Sequence, residues 1–317
     1  MSLGERERPG PNFLHEAHLY RGESDFLGGS LDFIEAGVTA DEPVLVAVDS
    51  AKIAALRAEL DDGRGVVEFV PMERVGRNPG RIISVWHDFV ERHPDRPVRG
   101  IGEPIWAGRD ETTLVECQQH EHLLNAAFGA THGFRLRCPY DADALAPEVV
   151  LEAARSHPLL SDGEGDGPRP SPAYQDVDGD ELLSAALPAP PSGAETLLVT
   201  AGRLGSVREQ LMLIAGDAGF DAGRRQDIAL VASELATNSL DHGPGGCYVR
   251  TWRTDGRFVV EVRDGGHIDD PLVGRRRPEM GARRGRGLWL VHELADLVQV
   301  RADHDGSTVR AFFDLPD

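Results

Sequence analysis

One segment separates two stretches of this chain that follow different hydrophobic rhythms. Residues 158–193 (PLLSDGEGDGPRPSPAYQDVDGDELLSAALPAPPSG) are rich in Pro, Gly, Ser and Asp and sustain neither a helical nor a strand period. Such a segment reads as a flexible linker, with room for a helical turn or two over residues 180–187. Before it, short Val/Leu runs alternate with amphipathic stretches; after it, strands come in hairpins. Two separate cores are therefore expected, and 317 residues suffice for both. The boundaries read from this pattern are 12–157, 158–193 and 194–317.

In the first stretch, residues 26–34 show helical spacing of Phe26, Leu27, Leu31, Phe33 and Ile34. Strands are expected over 42–48 (EPVLVAV), 66–70, 98–101 and 134–138, and further helices over 51–60, 81–91 and 114–128. Short, continuously apolar strands between helices predict an α/β domain whose largely parallel sheet is covered on both faces.

The second stretch changes order. A strand over 197–199 precedes helices over 204–218 and 224–242. A hairpin follows (249–254 and 258–263) around Asp255-Gly256, then a Gly/Arg/Pro-rich loop and a helix over 287–297. Strands over 298–302 and 307–314 close the chain around Asp305-Gly306. Helices beside an antiparallel-rich sheet predict an α+β sandwich.

Composition matters mainly for what it excludes. A formal net charge of -20 argues against a protein that wraps nucleic acid. No apolar run is long enough to span a bilayer, and the opening residues MSLGERERPGPN lack the apolar centre of a signal peptide. A cytoplasmic location is expected. Cys117, Cys138 and Cys247 are scattered without CxxC spacing, as expected for buried thiols rather than a disulfide framework or a zinc motif.

Four short patterns carry chemistry. In RQDIALVASELATNSLDH, Glu234 and Asn238 lie four residues apart and share a helix face. An Asn amide oxygen suits a hard cation such as Mg²⁺, and a neighbouring Glu can orient or deprotonate a hydroxyl; an ordinary solvated polar face fits the same spacing. VEVRDGG ends a strand at Asp264, whose carboxylate could accept an exocyclic amine, with glycines that let a planar ring approach; an Asp-Gly turn fits as well. Gly285-Arg286-Gly287-Leu288 opens a helix, where free N–H groups suit phosphate oxygens. Gly306-Ser307-Thr308 opens the last strand.

Taken in this order, the patterns resemble those of the Bergerat-fold (GHKL) ATPases, and SELATNSLDHG with GRGLWLV most resembles the anti-sigma-factor serine kinases of bacteria, over about 120 residues. The resemblance implies ATP and Mg²⁺ as cofactors. Glu234 would be the general base toward a partner Ser or Thr, and Asn238 the Mg²⁺ ligand. Asp264 would read adenine, with Thr308 supporting it. Gly266, Gly285, Gly287 and Leu288 would lie against the nucleotide. Residues 267–284 would form a lid whose arginines contact phosphate, at Arg284 or Arg286, or keep a loop soluble. Implied partners are a sigma factor, a STAS-type anti-anti-sigma protein, or both, and a homodimer is a common assembly of such kinases.

Two alternatives stay open: a module that binds nucleotide and a partner without transferring phosphate, and an atypical relative of sensor histidine kinases. Against the latter, only His157 stands at the edge of the upstream linker, with no helical hairpin to carry it. Gyrase-type relatives have further domains downstream, whereas this sequence ends at Asp317.

Residues 13–140 (FLHEAHLYRG, EPVLVAV, VGRNPGRII, GIGEPIWAGR, CQQHEHLLN, CPYD) resemble the MEDS sensory domain, related in shape to RecA/KaiC ATPases. No GxxxxGK[ST] loop occurs there, so phosphate cradling is not expected. Tyr20, Glu103, Trp106 and His120 are the candidate lining of a pocket for an unknown small ligand, Glu103 and Trp106 foremost because they follow a strand. His15 with His18, three apart, and Glu116 with His120, four apart, would each share one face at helical spacing, from which a metal site could be drawn. The whole chain reads as a sensor joined to a kinase-like switch.

Overall fold

A computed structural model describes residues 13–60, 67–162, 167–200, 202–243, 245–278 and 285–316. The chain divides into two compact units, Met1–Gly76 with Val85–Asp176, and Arg77–Ser84 with Val177–Asp317.

The first unit alternates strand and helix. Its elements are β1 (Leu14–Tyr20), α1 (Gly22–Thr39), β2 (Val44–Val48), α2 (Ser50–Glu59), β3 (Val67–Pro71), α3 (Met72–Val75), α4 (Ile82–Glu91, of this unit from Val85 on), β4 (Val98–Gly102), α5 (Glu111–Phe128), β5 (Phe134–Asp141) and α6 (Pro147–Ser156), followed by β6 (Leu159–Ser161) and β7 (Arg169–Pro170). The sheet order is β3-β2-β4-β5-β1-β6-β7, and only β6 with β7 runs antiparallel. β2 reads VLVAV and is buried at every position, as an interior parallel strand covered on both faces requires. Asp49 caps α2 by accepting from the Lys52 N–H at 2.9 Å, and Asp110 caps α5 by accepting from the Thr113 N–H at 3.0 Å.

β1 changes how its histidines are read. Helical spacing would put His15 and His18 on one face, but they stand on a strand, where residues three apart point to opposite faces. His15 meets Glu121 and Asn125 of α5, while His18 meets Ser161 of β6. The pattern hid β1 because His15, Glu16 and His18 are buried polar residues in an interior strand.

The second unit holds α7 (Gly179–Ser184), β8 (Glu195–Val199), α8 (Leu204–Asp217), α9 (Ala222–His242), β9 (Cys247–Thr254), β10 (Arg257–Asp264), α10 (Arg286–Leu294), β11 (Leu297–Asp303) and β12 (Gly306–Asp314). Its antiparallel sheet runs β11-β12-β10-β9-β8. Alternate residues of β10 (Phe258, Val260, Val262) and β12 (Val309, Ala311, Phe313) join Leu211, Ile228, Val231, Leu235 and Val291 of the helices in one core. The intervening Val259 and Phe312 pack with Leu297 and Trp252 on the other face. The helix expected over 287–297 stops earlier, because the Asp296 N–H is drawn to the Phe312 carbonyl at 2.9 Å and the chain enters β11.

The stretch expected as a linker, 158–193, is more structured than its composition implies. It supplies β6 and β7 to the first sheet and α7 to the second unit. Leu183 of α7 is buried in the second core, and Arg310 donates to the Pro188 carbonyl at 2.5 Å. A few apolar anchors suffice to hold a segment without a sustained period.

Candidate functional site

The long helix α9 starts at Asp221, which accepts from the Arg224 N–H at 2.8 Å. Its apolar side, Ile228, Val231, Leu235 and Ala236, is buried. That registration leaves Glu234 and Asn238 half-buried at the border of the core. β10 runs beside α9 and ends at Asp264, whose carboxylate accepts from the Ser239 hydroxyl and from the Gly266 N–H, the latter at 2.6 Å. Two donors fix the plane of that carboxylate while leaving lone pairs for a further donor.

These elements enclose a cavity of about 380 Å³, lined by Asn238, Asp264, Gly266, Gly285, Gly287 and Leu288. Leu235, Val262, Ile268, Val273 and Val309 supply apolar walls. A slot with apolar walls and one oriented carboxylate suits a planar heterocycle that carries an amine. At the other end stands the N-terminus of α10, with Gly285 as its left-handed cap (φ 85°), where unpaired N–H groups favour anionic oxygens.

One glycine is required by close approach, and a second leaves little room for a side chain. A Cβ on Gly306 would lie 2.0 Å from the Asp264 carbonyl oxygen, and its φ of 131° suits glycine alone. A Cβ on Gly287 would lie 3.0 Å from the Glu234 carboxylate and 3.1 Å from the Asn238 amide. Gly287 thereby lets the start of α10 sit directly against both polar groups of α9.

Most of the sequence candidates come together here. Glu234 reaches Gly287 but is not among the residues lining the cavity. Arg286 is exposed and also outside the lining, and Arg284 lies outside the described residues. Thr308 requires correction. Strand alternation turns it away from the cavity, and Ser307 and Val309 line it instead. The Ser307 hydroxyl donates to the Gly266 carbonyl at 2.9 Å, tying β12 to the turn after Asp264. Of the expected lid, His267, Ile268, Asp269, Asp270 and Val273 line the cavity, Arg275, expected to keep a loop soluble, is buried, and residues 279–284 lie outside the described residues. Sequence reasoning missed Ser239 and Ser307, although period-two counting back from Val309 points to Ser307. Beside Ser239, burial pushes the Cys247 thiol up to about 11, so it stays protonated at neutral pH.

The candidates of the first unit separate. Tyr20 and Glu103 do meet, at the carboxyl ends of β1 and β4: the Tyr20 hydroxyl donates to Glu103 at 2.9 Å. Sequence reasoning missed Lys52, which donates to both Glu103 oxygens at 2.6 Å and stands 4.9 Å from the centre of the Phe26 ring. Burial pushes the Glu103 carboxyl up, against the opposing pull of Lys52. Tyr20, Phe26, Asp49, Lys52 and Asp141 line a cavity of about 290 Å³. Glu103 lies behind that lining, tied to Lys52, rather than in it. Trp106 stacks under the Arg109 guanidinium, 3.6 Å from its ring centre, and His120 and Glu116 are buried in α5; none of the three lines this cavity.

Comparisons with known proteins follow the same division. Residues 14–158 match the family model of MEDS, the methanogen/methylotroph DcmR sensory domain. Residues 198–313 match the histidine kinase-like ATPase domain. No curated protein matches the chain. Among solved structures it is similar to the crystal structure of the RsbU and RsbW domains of Rv1364c from Mycobacterium tuberculosis, at 21% identity and a TM-score of 0.30. That match covers 38% of this chain and 32% of the other.

Proposed function

Since the chain joins a MEDS domain to a histidine kinase-like ATPase domain, we propose that it is a signalling regulator. In this reading the second unit binds Mg-ATP and acts as a protein serine/threonine kinase of the anti-sigma type, under control of the first unit. One observation carries it. Asn238, Asp264, Gly266, Gly285 and Gly287, spread over three elements and two loops, border a single cavity with apolar walls and an oriented carboxylate. The fit is chemical as well as spatial, because a Cβ at Gly287 would fill the gap between α10 and the Glu234–Asn238 face.

When bound, Mg-ATP supplies the phosphoryl group and the charge that activates it. The chain does the rest by position. Asp264, held by Ser239 and Gly266, accepts the adenine amine. The first N–H groups of α10 would hold the phosphates. The Asn238 amide oxygen would be the hard ligand for Mg²⁺. Glu234, one turn before it, takes the proton of a partner's serine or threonine hydroxyl. By the resemblance of SELATNSLDHG and GRGLWLV, that partner is an anti-anti-sigma protein of STAS type, and the complementary client is a sigma factor. Phosphate on the partner's interface adds charge that opposes rebinding.

A second reading, nucleotide-dependent binding without transfer, is favoured by the place of Glu234 outside the cavity lining. A histidine kinase reading fits poorly, because His157 is fully buried. Calorimetry with Mg-ADP followed by single-turnover transfer from labelled ATP to a STAS partner separates the readings. The kinase reading expects Mg-ADP binding and transfer, and Glu234→Ala should remove at least 100-fold of the transfer rate, on the order of a lost general base, while nucleotide binding persists. Binding without transfer in the native chain selects the second reading, and no heat with Mg-ADP removes both.

A further inference from the structure

Four side chains that neither the comparisons nor the nucleotide site account for converge inside the first unit. His15 on β1, Glu121 on α5, Cys138 on β5 and His157 at the end of α6 are all buried, and a ligand atom of each lies within 4.8 Å of those of the others. The sheet register explains the pair from the strands. His15 stands opposite Leu136 and Ala17 opposite Cys138, so both His15 and Cys138 point to the face that α5 covers. Glu121 comes down from α5, and α6 returns the chain so that its C-cap residue, His157, closes the fourth side.

The surroundings set which atoms are available. His15 Nδ1 is 3.0 Å from Asn125 Oδ1, and the Asn125 amide is held in that orientation because its Nδ2 donates to the Ser156 carbonyl at 2.7 Å. His157 Nδ1 is 2.8 Å from the Ala153 carbonyl, which can only accept. Both imidazoles therefore carry their proton on Nδ1 and turn a bare Nε2 inward. Outer-shell acceptors fix metal-binding histidines in this way. Inside, His15 Nε2 is 3.2 Å from Glu121 Oε2, and His157 Nε2 is 3.4 Å from the same oxygen. Cys138 Sγ is 3.4 Å from both His15 Nε2 and Glu121 Oε2.

Two nitrogen lone pairs, a carboxylate and a sulfur thus face one another, with the thiol proton as the one donor. Among the described residues, the nitrogen atoms nearest the Glu121 carboxylate are those two bare Nε2 atoms, which do not offset its charge. Glu121 Oε1 and His157 Nε2 lack a hydrogen-bond partner in a fully buried setting, an arrangement that costs free energy unless a cation sits among the acceptors. The spacing has the right scale. Ligand bonds of about 2.0–2.3 Å in a tetrahedron place neighbouring ligand atoms roughly 3.3–3.8 Å apart, close to the four separations above.

We propose that His15, Glu121, Cys138 and His157 bind one divalent transition-metal ion of the zinc class in a closed tetrahedral site. Two imidazoles, one thiolate and one carboxylate form a borderline donor set that selects such ions over Mg²⁺ and Ca²⁺. All four positions come from the protein, so the site clamps β1, β5, α5 and α6 together. The Cys138 proton leaves to solvent on binding, and the thiolate takes its place as ligand. The proposal stands apart from the nucleotide reading of the second unit.

The test uses the full chain, produced in zinc-supplemented and in cobalt-supplemented medium. Elemental analysis should find one zinc or cobalt per chain after desalting. The cobalt form should show the strong visible bands of tetrahedral cobalt(II) and a thiolate-to-cobalt band in the near ultraviolet. Cys138→Ser should lose the thiolate band. Asn125→Ala, which leaves all four ligands in place, should weaken zinc binding by roughly 10–100-fold in competition with a chelator. Should Cys138→Ser fail to fold, the native cobalt spectrum and Asn125→Ala still decide. A chain that carries no stoichiometric metal from either medium, a weak octahedral cobalt spectrum, or a thiolate band that survives in a folded Cys138→Ser protein overturns the proposal; the first result would mean that a proton fills the cluster instead.

Discussion

Ser307 and Thr308 are adjacent hydroxyl residues at the start of β12, and only one of them faces the nucleotide cavity. Ser307 donates to the Gly266 carbonyl and so braces the turn that carries Asp264. Thr308 lies opposite Arg263 and Arg301, on the far face of the sheet. Ser307→Ala should therefore weaken Mg-ADP binding about fivefold, the worth of one hydrogen bond of about 1 kcal/mol, while Thr308→Ala should leave it unchanged. Calorimetry on the two variants checks this, and the opposite ranking would restore Thr308 to the site. At this scale the sequence was legible where a residue type is rare and its element regular. Asn238 and Asp264 could be placed because α9 and β10 have clear periods. The residues that hold Asp264 and the turn after it, Ser239 and Ser307, are common residues whose roles appear only once the facing element is known. Lys52 escaped for the same reason: an exposed-looking lysine in α2 gains its meaning from Glu103 and Tyr20, far away in sequence.

Between elements, the central strands of the second sheet share a buried ion cluster. Glu261 of β10, which is 1% exposed, stands opposite Arg310 of β12 and Arg250 of β9. Arg310 Nε donates to it at 2.7 Å and Arg250 Nη1 at 3.0 Å, while Arg310 also stacks over Trp252. Removing the carboxylate leaves the buried Arg310 guanidinium with the Pro188 carbonyl but without its counter-charge. Glu261→Ala should cost about 3 kcal/mol, the lower end for breaking a buried pair because Arg250 keeps some contact with water. The melting transition of the second unit, identified by its shift with Mg-ADP, measures it, and a loss below about 1 kcal/mol would show that water or a neighbour replaces Glu261. Elements were legible where burial is one-sided or wholly apolar, as in β2, β10 and α9. They were hidden where polar residues fill an interior, as in β1, whereas the short helix α7 falls where one or two helical turns were expected and is anchored by Leu183. The cluster of His15, Glu121, Cys138 and His157 shares the difficulty of β1. Its members come from four elements, two of which, β1 and α6, the pattern did not reveal, although Pro147 at the first turn of α6 is a helix-start signal.

For the molecule as a whole, the decisive fact is that each unit has a core of its own. Phe26, Ile34, Val46 and Ile101 belong to one, and Val231, Leu235, Val260 and Phe313 to another. Separate cores give separate cooperative transitions, so a single unfolding free energy does not describe this chain. Calorimetric melting of the full chain should resolve two transitions. A ligand that binds only the folded second unit stabilises that unit by mass action, and Mg-ADP at a hundredfold excess over its dissociation constant adds about 2.7 kcal/mol. Mg-ADP should accordingly raise one transition and leave the other in place. If the first unit senses a signal and passes it on, this independence must fail in one defined way: a ligand of the first unit changes Mg-ADP affinity, and Mg-ADP changes the affinity for that ligand by the same factor. Two transitions that Mg-ADP moves together would reveal such coupling already without the signal. Two that move independently would place the coupling in the liganded first unit, with the cobalt- or zinc-loaded chain as the first form to compare.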